Sequence, residues 1–265
     1  MSDLLYEAAN GVAYLTMNRP EARNALSMEM RSRLLEVFQR LESDDSIRCV
    51  VLRGAGEHFM AGGDVKSFMD FTQHTPQQRR LNFINRIHAG LNGLIYTMRR
   101  LNKPVIASVS GASAGAGVSL ALACDMVIAA EDAFFTLAYS HIACSPDGGA
   151  TYFLPRLVGT KKAMEIALLG ERFSAAEAAR IGMINRVVPG AELAAQTDKL
   201  AQRLAAGPAR AYGNIKQLIL QSSENSLEQH LQCEAETFGD TVMAEDWIEG
   251  VKAFNEKRKP QYSGR

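Results

Sequence analysis

The sequence predicts an α/β fold in which one core, residues 1–190, is followed by a helical C-terminal region, residues 191–265. Three observations lead to this prediction. Short apolar runs rich in β-branched residues alternate with helical patterns through the first part of the chain. Glycine-rich loops join several of these segments, and no convincing strand pattern follows residue 190. Alternation of strand and helix patterns is typical of α/β folds.

The first predicted elements are a strand, a polar loop and a helix. The apolar run Val12–Met17 predicts the strand, which breaks at the turn sequence around Pro20. Ser27 precedes apolar residues at helical spacing, so we expect a helix to begin at about Met28. A second strand is predicted at Ile47–Leu52, and two glycine clusters follow it.

A long helical pattern and a stretch without charge come next. The helical pattern extends from Pro76 to Leu101. Residues 104–124 then carry no charge, as a membrane-spanning segment would, but they are rich in glycine and serine. We therefore predict a strand at Val105–Val109, a glycine turn, and a buried helix at Gly115–Ala123.

Short strands and one capped helix complete the predicted core. Met126–Ala130 and Ala133–Leu137 have the pattern of short strands. Ser174 stands three residues before Glu177, which is the capping-box pattern at the start of a helix. Asn185–Val188 is the last predicted strand, and the rest of the chain is predicted to be helix or loop.

The composition predicts a soluble globular protein. Of 265 residues, 47% are hydrophobic and 22% are charged, which argues against fibrous, disordered and membrane classes. The 29 basic and 29 acidic residues cancel, so nucleic-acid binding is not expected. Four cysteines without a C-x-x-C pair favour reduced thiols over a zinc site, and no signal sequence is visible. We expect a cytoplasmic protein. Because the net charge is zero, we expect any anionic ligand to be bound by a few specifically positioned groups.

Two loops of small residues carry the strongest chemical signal. They lie at residues 59–66 and 111–117, each directly before a helical segment. The first turn of a helix has free N–H groups and the positive end of the helix dipole. Two such loops facing each other could hold a thioester oxygen as it becomes an enolate oxyanion. One such N–H donor lowers the activation free energy by roughly 3 to 4 kcal/mol. The alternative is tight packing of helix on strand, which also requires small residues.

Several motifs in register resemble one known family. They are NRPEARNAL at residues 18–26, AGGDVK at 61–66, KPVIA at 103–107, CD at 124–125, LPRLVG at 154–159 and FSA at 173–175. Together and in this order they resemble the crotonase, or enoyl-CoA hydratase/isomerase, superfamily. The resemblance covers nearly the whole chain, which makes it far more specific than any single loop.

The resemblance implies a fold, a substrate class and an assembly. It implies a crotonase-like spiral of repeated ββα units with a helical C-terminal trimerisation region. The substrate would be an acyl-CoA thioester, so coenzyme A would be part of the substrate, with no permanently bound cofactor and no metal. The implied assembly is a homotrimer or a homohexamer, and neither nucleic acid nor membrane is an expected partner.

The resemblance also assigns residues to the site. Gly63 and Ala116 fall where the family has its two oxyanion-hole N–H donors. The positions expected to contact the pantetheine, adenine and phosphates of coenzyme A are Arg23, Ala25, Ala61, Asp64, Val65 and Lys66. A basic residue near Lys257 is also expected to reach coenzyme A.

The chain departs from the family pattern at the two positions where hydratases have glutamates. Ser119 and Tyr139 stand there, and neither is a base at neutral pH, so efficient hydration by the usual route is not expected. Asp147 aligns with an aspartate that isomerases and aryl-CoA dehalogenases of the family use, and could shuttle a proton. The surrounding sequence is nearest in appearance to epoxyphenylacetyl-CoA isomerases, although these have an asparagine where Ser119 stands. Asp147 is also a candidate helix N-cap.

Alternative interpretations remain open from the sequence. The favoured function is isomerisation of a double bond or ring, and the alternatives within the family are hydration or acyl-CoA binding without catalysis. Ser113 lies in a G-x-S-x-G motif, so a serine hydrolase with Asp147 or Asp198 and His230 is a further alternative. His141 is interpreted as a core or pocket-wall histidine rather than a base.

Overall fold

The computed structural model describes residues 2–264, and within this range the chain forms nine strands and eleven helices. The strands are β1 Leu4–Ala9, β2 Val12–Met17, β3 Cys49–Gly54, β4 Val105–Val109, β5 Ala112–Ala114, β6 Met126–Ala130, β7 Phe134–Thr136, β8 Phe173–Ser174 and β9 Arg186–Val188. The helices are α1 Met28–Glu42, α2 Pro76–Arg86, α3 Gly93–Arg100, α4 Ala116–Ala123, α5 Ala150–Val158, α6 Thr160–Leu169, α7 Ala175–Arg180, α8 Leu193–Ala205, α9 Ala209–Gln221, α10 Leu227–Thr241 and α11 Glu245–Asn255. The α/β class predicted from the sequence is confirmed.

A six-stranded sheet forms the centre of the molecule. Its strand order is β1-β2-β3-β4-β6-β9, with β1 antiparallel to β2 and every other pair parallel. The central strands are apolar along their length; Val50, Val51 and Leu52 of β3 are fully buried. Parallel strands covered on both faces are continuous apolar runs, which explains the pattern seen in the sequence.

Two glycine-rich loops leave the same edge of this sheet. Since β3 and β4 are parallel neighbours, the loops that follow them start side by side. A β-bridge joins Met60 of the first loop to Ser113 of the second: the Met60 N–H donates to the Ala112 carbonyl at 3.0 Å, and the Ala114 N–H donates to the Met60 carbonyl at 2.8 Å. The second loop also contains β5, which belongs to the smaller sheet β5-β7-β8.

The helices around this edge follow their sequence signals. The Ser27 side chain accepts from the Met30 N–H at 3.0 Å and caps α1, as predicted. The predicted helical stretch from residue 76 to residue 101 is helical from Pro76 to Arg100, but a π-helical segment at Ile87–Asn92 separates α2 from α3. A π-helical turn holds an extra residue, and such turns often occur at functional sites.

The C-terminal helices begin after β9 and are not separate from the core. Ala201, Leu204 and Ala205 of α8 are buried in it. Helix α9 is attached through Lys216, whose ammonium contacts the Asp125 carboxylate at 2.8 Å and donates to two main-chain carbonyls. These contacts join α8 and α9 to the core but do not test a division of the chain at residue 190, which stays a prediction. Helices α9 to α11 also expose large apolar side chains, among them Ile219, Leu227, Phe238 and Phe254.

Some elements differ from the sequence predictions. Strands β1, β5 and β8 were not predicted; β5 and β8 are three and two residues long, and most of β1 is exposed at the sheet edge. The Ser174 side chain accepts from the Glu177 N–H at 3.2 Å, but the Glu177 carboxylate binds Arg180, so only half of the predicted capping box forms. Residues 104–124 form β4, β5 and α4, and between residues 2 and 264 no helix is long and apolar enough to cross a membrane.

The buried ion pair between Asp125 and Lys216 generates a stability prediction. Burial lowers the pKa of Lys216 and raises that of Asp125, and the attraction between the two charges opposes both changes. The substitution Lys216→Met leaves the Asp125 carboxylate buried without its nearest cation. We expect the free energy of unfolding to fall by about 3 kcal/mol, measured by urea denaturation.

Lys199→Met is the matched control because Lys199 is an exposed lysine of α8. Its effect should stay within about 0.5 kcal/mol. A loss below about 1 kcal/mol in Lys216→Met would contradict the proposed attachment of α9.

Candidate active site

A cavity of about 660 Å³ lies at the edge of the sheet from which the two glycine-rich loops leave. Its walls are largely apolar, and the large apolar side chains include Leu26, Phe68, Phe83, Leu91 and Leu137. The acidic, basic and histidine side chains that line it are Arg31, Asp64, Arg86, His141 and Asp147. An apolar cavity with a few converging polar groups is the usual form of a small-molecule site. The cavity can therefore bind an apolar group and act on it with a few placed side chains.

Two main-chain N–H groups that line the cavity have no protein acceptor. They belong to Gly63, in the first loop, and to Ala116, the first residue of α4; within residues 2–264 neither N–H donates a hydrogen bond. The residues before them lie close together, since a Cβ on Gly62 would lie 3.9 Å from the Gly115 Cα. Such a pair can bind a carbonyl oxygen as it gains negative charge.

Glycines allow the two loops to come this close. Gly62 has φ 107° and Gly115 has φ 49°, backbone conformations that other residues rarely adopt. A Cβ on Gly62 would lie 3.2 Å from the Ala114 carbonyl oxygen, and one on Gly117 would lie 2.4 Å from the Met60 carbonyl oxygen. The packing interpretation of these small residues is therefore right, and the oxyanion interpretation stays a prediction.

Asp147 lies in the cavity wall, half-buried, and its carboxylate accepts a hydrogen bond from the Tyr139 hydroxyl at 2.6 Å. Burial raises the pKa of Asp147, while the hydrogen bond from Tyr139 and the charge of Arg31 act in the opposite direction. The helix-cap interpretation is wrong: the N-cap of α5 is Gly149, and no side chain caps that helix. The Asp147 carboxylate is therefore not engaged in capping α5.

Tyr139 and Ser119 both contact Asp147, in different ways. Burial and the neighbouring carboxylate raise the pKa of Tyr139, so its hydroxyl stays protonated and donates to Asp147. Ser119, on α4, is fully buried, and its hydroxyl donates to the Asp147 main-chain carbonyl at 2.9 Å. A Cβ on Gly148 would lie 2.8 Å from the Ser119 Cβ, so α4 packs closely against this loop. Ser119 holds the loop that carries Asp147 and does not line the cavity.

The residues expected to contact coenzyme A divide into two groups. Ala61, Asp64 and Val65 line the cavity. Arg23, Ala25 and Lys66 do not line it but are close to it in the chain. The main chain of Arg23 accepts from the Ala61 N–H at 2.9 Å, and the side chains of Arg23 and Lys66 are exposed, with no ion pair among the described residues.

Arg19 organises this part of the site, although the sequence analysis did not single it out. Its guanidinium donates to the Asp64 carboxylate at 3.1 Å and to the Ala25 carbonyl at 2.8 Å. Asn24 is fully buried and accepts from the Arg19 main-chain N–H at 2.9 Å, while its amide donates to two carbonyls of the first glycine-rich loop region. The Asp64 carboxylate is thus already paired within the chain.

Lys257 does not line the cavity. It is exposed just beyond the end of α11. The tail that follows it returns to Arg48, which donates to the Tyr262 carbonyl at 3.2 Å and to the Ser263 carbonyl. Arg48 immediately precedes β3, so this contact lies at the edge of the sheet opposite the cavity. Within one chain, the structure does not bring Lys257 together with the other expected residues.

Arg31 and Arg86 line the cavity, and the sequence analysis missed both. Arg31 follows Met28 by three residues and precedes Leu35 by four, which places it on one face of α1 with two apolar residues. This spacing was the sequence signal that could have identified Arg31 as a residue on the apolar face of α1. Its side chain is only 6% exposed, which is rare for an arginine without an ion pair.

The burial of Ser113 and the exposure of His141 decide between two pairs of alternative interpretations. Ser113 is fully buried, and its hydroxyl has no hydrogen-bond partner in the part of the chain that the structure describes. A nucleophilic serine needs a hydrogen-bonded base and access to substrate, so the serine hydrolase interpretation is wrong. His141 is exposed and lines the cavity, so the pocket-wall interpretation is right and the core interpretation is wrong.

Comparisons with known proteins find relatives along the whole chain. The family model described as enoyl-CoA hydratase/isomerase matches residues 7–265. The chain is 40% identical over 266 aligned residues to the 1,2-epoxyphenylacetyl-CoA isomerase of Escherichia coli strain K12, with 100% of both chains covered. It is 37% identical to a probable enoyl-CoA hydratase of Rhodobacter capsulatus, over 98% of this chain and 97% of that protein.

A solved structure is also similar to this chain along nearly its whole length. The crystal structure of an enoyl-CoA hydratase from Polaromonas sp. JS666 matches with a TM-score of 0.92 and 36% identity, and the match covers 98% of this chain and 99% of that one. The crotonase-like fold expected from the sequence is thereby confirmed. The relatives include both a hydratase and an isomerase by name. From the match over residues 7–265, the chain belongs to the enoyl-CoA hydratase/isomerase family of the crotonase superfamily.

Proposed function

We propose that the protein is an acyl-CoA isomerase in which Asp147 moves a proton while the N–H groups of Gly63 and Ala116 hold the thioester enolate. The observation that carries this proposal is the position of Asp147, whose carboxylate has no ion pair among residues 2–264, in the wall of the cavity that Gly63 and Ala116 also line. The membership of the family and the isomerase among its relatives support it.

The proposed reaction moves a proton and a double bond without adding water. The Asp147 carboxylate removes a proton from a carbon of the acyl group, and the C–H electron pair forms an enolate whose oxygen accepts from Gly63 and Ala116. Asp147 then returns the same proton to a carbon two positions away, and the carbonyl forms again. Burial raises the pKa of Asp147, which makes it a stronger base than an exposed aspartate.

The number of available carboxylates favours isomerisation over hydration. Two carboxylates line the cavity, and that of Asp64 is already bound by Arg19. Ser119 and Tyr139 cannot replace a pair of glutamates, because the hydroxyl of Ser119 contacts a main-chain carbonyl and that of Tyr139 contacts Asp147. A single carboxylate is sufficient for proton transfer within one substrate. Hydration, or acyl-CoA binding without catalysis, remains the alternative that activity measurements decide.

The proposed substrate is an acyl-CoA thioester, with coenzyme A part of the substrate. We place its phosphates near the exposed cations Arg23 and Lys66, because their donors offset phosphate charge. Ala25, Ala61, Asp64 and Val65 would contact the remainder of the coenzyme. The exposed apolar side chains of α9 to α11 support a homotrimer or homohexamer, and Lys257 could contact coenzyme A only from a neighbouring subunit.

The first test removes the proposed proton carrier. Asp147→Asn keeps the size and hydrogen-bonding capacity of the side chain but loses its basicity. We expect kcat for isomerisation of a 3-enoyl-CoA, or of a phenylacetyl-CoA epoxide, to fall by about 10² to 10⁴-fold, because general acid–base catalysis contributes that much. Turnover is followed by absorbance and by chromatography of the products, with 2-enoyl-CoA offered in parallel.

Asp198→Asn is the control, since Asp198 is an exposed aspartate of α8 outside the cavity. Rapid hydration of 2-enoyl-CoA that Asp147→Asn leaves intact would contradict the proposed mechanism. Binding of acyl-CoA without turnover by the unaltered protein would favour the non-catalytic alternative.

The second test removes one N–H donor of the oxyanion site. Proline lacks an N–H but is well tolerated at the first position of a helix, which Ala116 occupies in α4. Gly115 has ψ −118°, away from the helical region that a following proline disfavours. We expect Ala116→Pro to lower kcat by about 10² to 10³-fold while the protein stays folded.

Leu227→Pro is the matched control, because Leu227 is exposed at the first position of α10. Thermal unfolding of both variants separates loss of the fold from loss of the donor. A folded Ala116→Pro protein with full activity would show that this N–H plays no part.

The third test concerns pH. The hydrogen bond from Tyr139 stabilises the ionised form of Asp147 and so lowers its pKa. Without that bond the pKa of Asp147 should rise, so the ionised base should be lost at a higher pH as the solution is acidified. We expect the acid limb of the pH profile of kcat/KM to move to higher pH in Tyr139→Phe. An unchanged or lowered acid limb would rule out this role, and Tyr152→Phe, outside this cavity, serves as the control.

A further inference from the structure

We propose that Arg31 and Arg86 form a carboxylate-binding site inside the cavity, so that the preferred substrates are acyl-CoA thioesters whose acyl group carries a carboxylate of its own. This inference rests on the proposed acyl-CoA function and deepens it by naming the substrate class. Arg31 and Arg86 carry it, and neither donates or accepts the proton in the reaction described above.

Arg31 is a buried cation whose donors are incompletely used. One of its terminal nitrogens donates to the Arg86 main-chain carbonyl at 2.7 Å, and the other contacts the sulfur of Met28. Its Nε is buried and has no acceptor among the described residues. A guanidinium carries five N–H donors, and a buried donor without an acceptor is costly. The side chain lines the cavity and lacks an ion pair within residues 2–264.

Arg86 brings a second positive charge to the same wall. Its guanidinium donates to the Ser67 hydroxyl at 3.0 Å and lies 5.4 Å from the centre of the Phe68 ring and 5.9 Å from that of Phe71. These rings favour a fixed position for the cation. Arg86 also has no carboxylate partner in the described part of the chain. The charge of Arg86 adds to burial in lowering the pKa of Arg31, as expected for two cations close together.

The charges of the cavity are therefore unbalanced in this region. Asp64 is bound by Arg19, and the hydrogen bond from Tyr139 leaves the charge of Asp147 in place, so Asp147 offsets one of the two arginines. One positive charge remains without an anion among the described residues, and a purely hydrocarbon acyl group would leave it unpaired, which is unfavourable. A carboxylate matches the planar donor arrangement of arginine, and the apolar wall fits a hydrocarbon segment between that carboxylate and the thioester.

The phosphates of coenzyme A are a second possible source of the anion. Arg31 is only 6% exposed, and its charge acts on Asp147, the residue proposed to act on the acyl carbons. A buried cation beside the reacting group faces the acyl part of the substrate, whereas Arg23 and Lys66 are exposed and suited to phosphate. Binding of free coenzyme A distinguishes the two sources.

The experiment measures binding by calorimetry with saturated thioesters, which cannot isomerise. Carboxylated acyl-CoAs with four, six and eight acyl carbons are compared with methyl-ended acyl-CoAs of the same lengths and with free coenzyme A. At the best length, we expect the unaltered protein to bind the carboxylated thioester roughly 10- to 100-fold more tightly, the range for hydrogen bonds to charged groups. Arg31→Met should abolish this preference, while its affinity for free coenzyme A stays unchanged.

Arg33→Met is the matched control: Arg33 lies on the same helix, is about half exposed and pairs with Glu36, so the preference should persist. Arg86→Met, at a half-buried position, should also reduce the preference and covers the case in which Arg31→Met fails to fold. Equal or tighter binding of the methyl-ended thioesters at every length would overturn the inference and leave the proposed function standing. Weaker binding of free coenzyme A by Arg31→Met would assign the cations to phosphate and overturn it too. Failure to bind any thioester would overturn both proposals.

Discussion

The main-chain contact between the two glycine-rich loops is the constraint on which the rest of the site depends. The Met60–Ser113 bridge fixes the loops in register, and the close approach of Gly62 and Gly115 then leaves the N–H groups of Gly63 and Ala116 without protein acceptors. Because these donors belong to the main chain, their position depends on strand register and on the absence of side chains. The parallel pairing of β3 with β4 places the two loops side by side, so the central sheet determines where the proposed oxyanion donors lie.

Electrostatic effects at Asp147 oppose one another, and their balance suits a proton carrier. Burial makes the carboxylate a stronger base, while Tyr139 and Arg31 stabilise its charge. Ser119 contributes by holding the main chain of Asp147 rather than its side chain. Where hydratases of the family have two glutamates, this chain has one hydroxyl directed at the carboxylate of Asp147 and one directed at its backbone. Both positions at which the resemblance places a glutamate thus contact Asp147.

The sequence predicted the elements whose signals are local. Apolar runs identified β2 and β4, a serine cap identified the start of α1, and small residues identified the two loops. It missed β1, whose exposed edge lacks an apolar pattern, and it could not decide whether Asp147 caps α5, because the answer depends on where the helix begins. Arg31 was missed because a charged residue in a helical pattern is usually solvated, and only the tertiary packing places it in a cavity.

The π-helical segment at Ile87–Asn92 contains Gly90, which leaves room for the Arg31 side chain. A Cβ on Gly90 would lie 2.1 Å from the Arg31 Nε, so the guanidinium passes through a gap that only a glycine leaves open. Removing one residue from this segment would restore ordinary α-helical winding between α2 and α3. A side chain at residue 90 would displace the guanidinium, so the positive charge of this cavity wall depends on a single glycine.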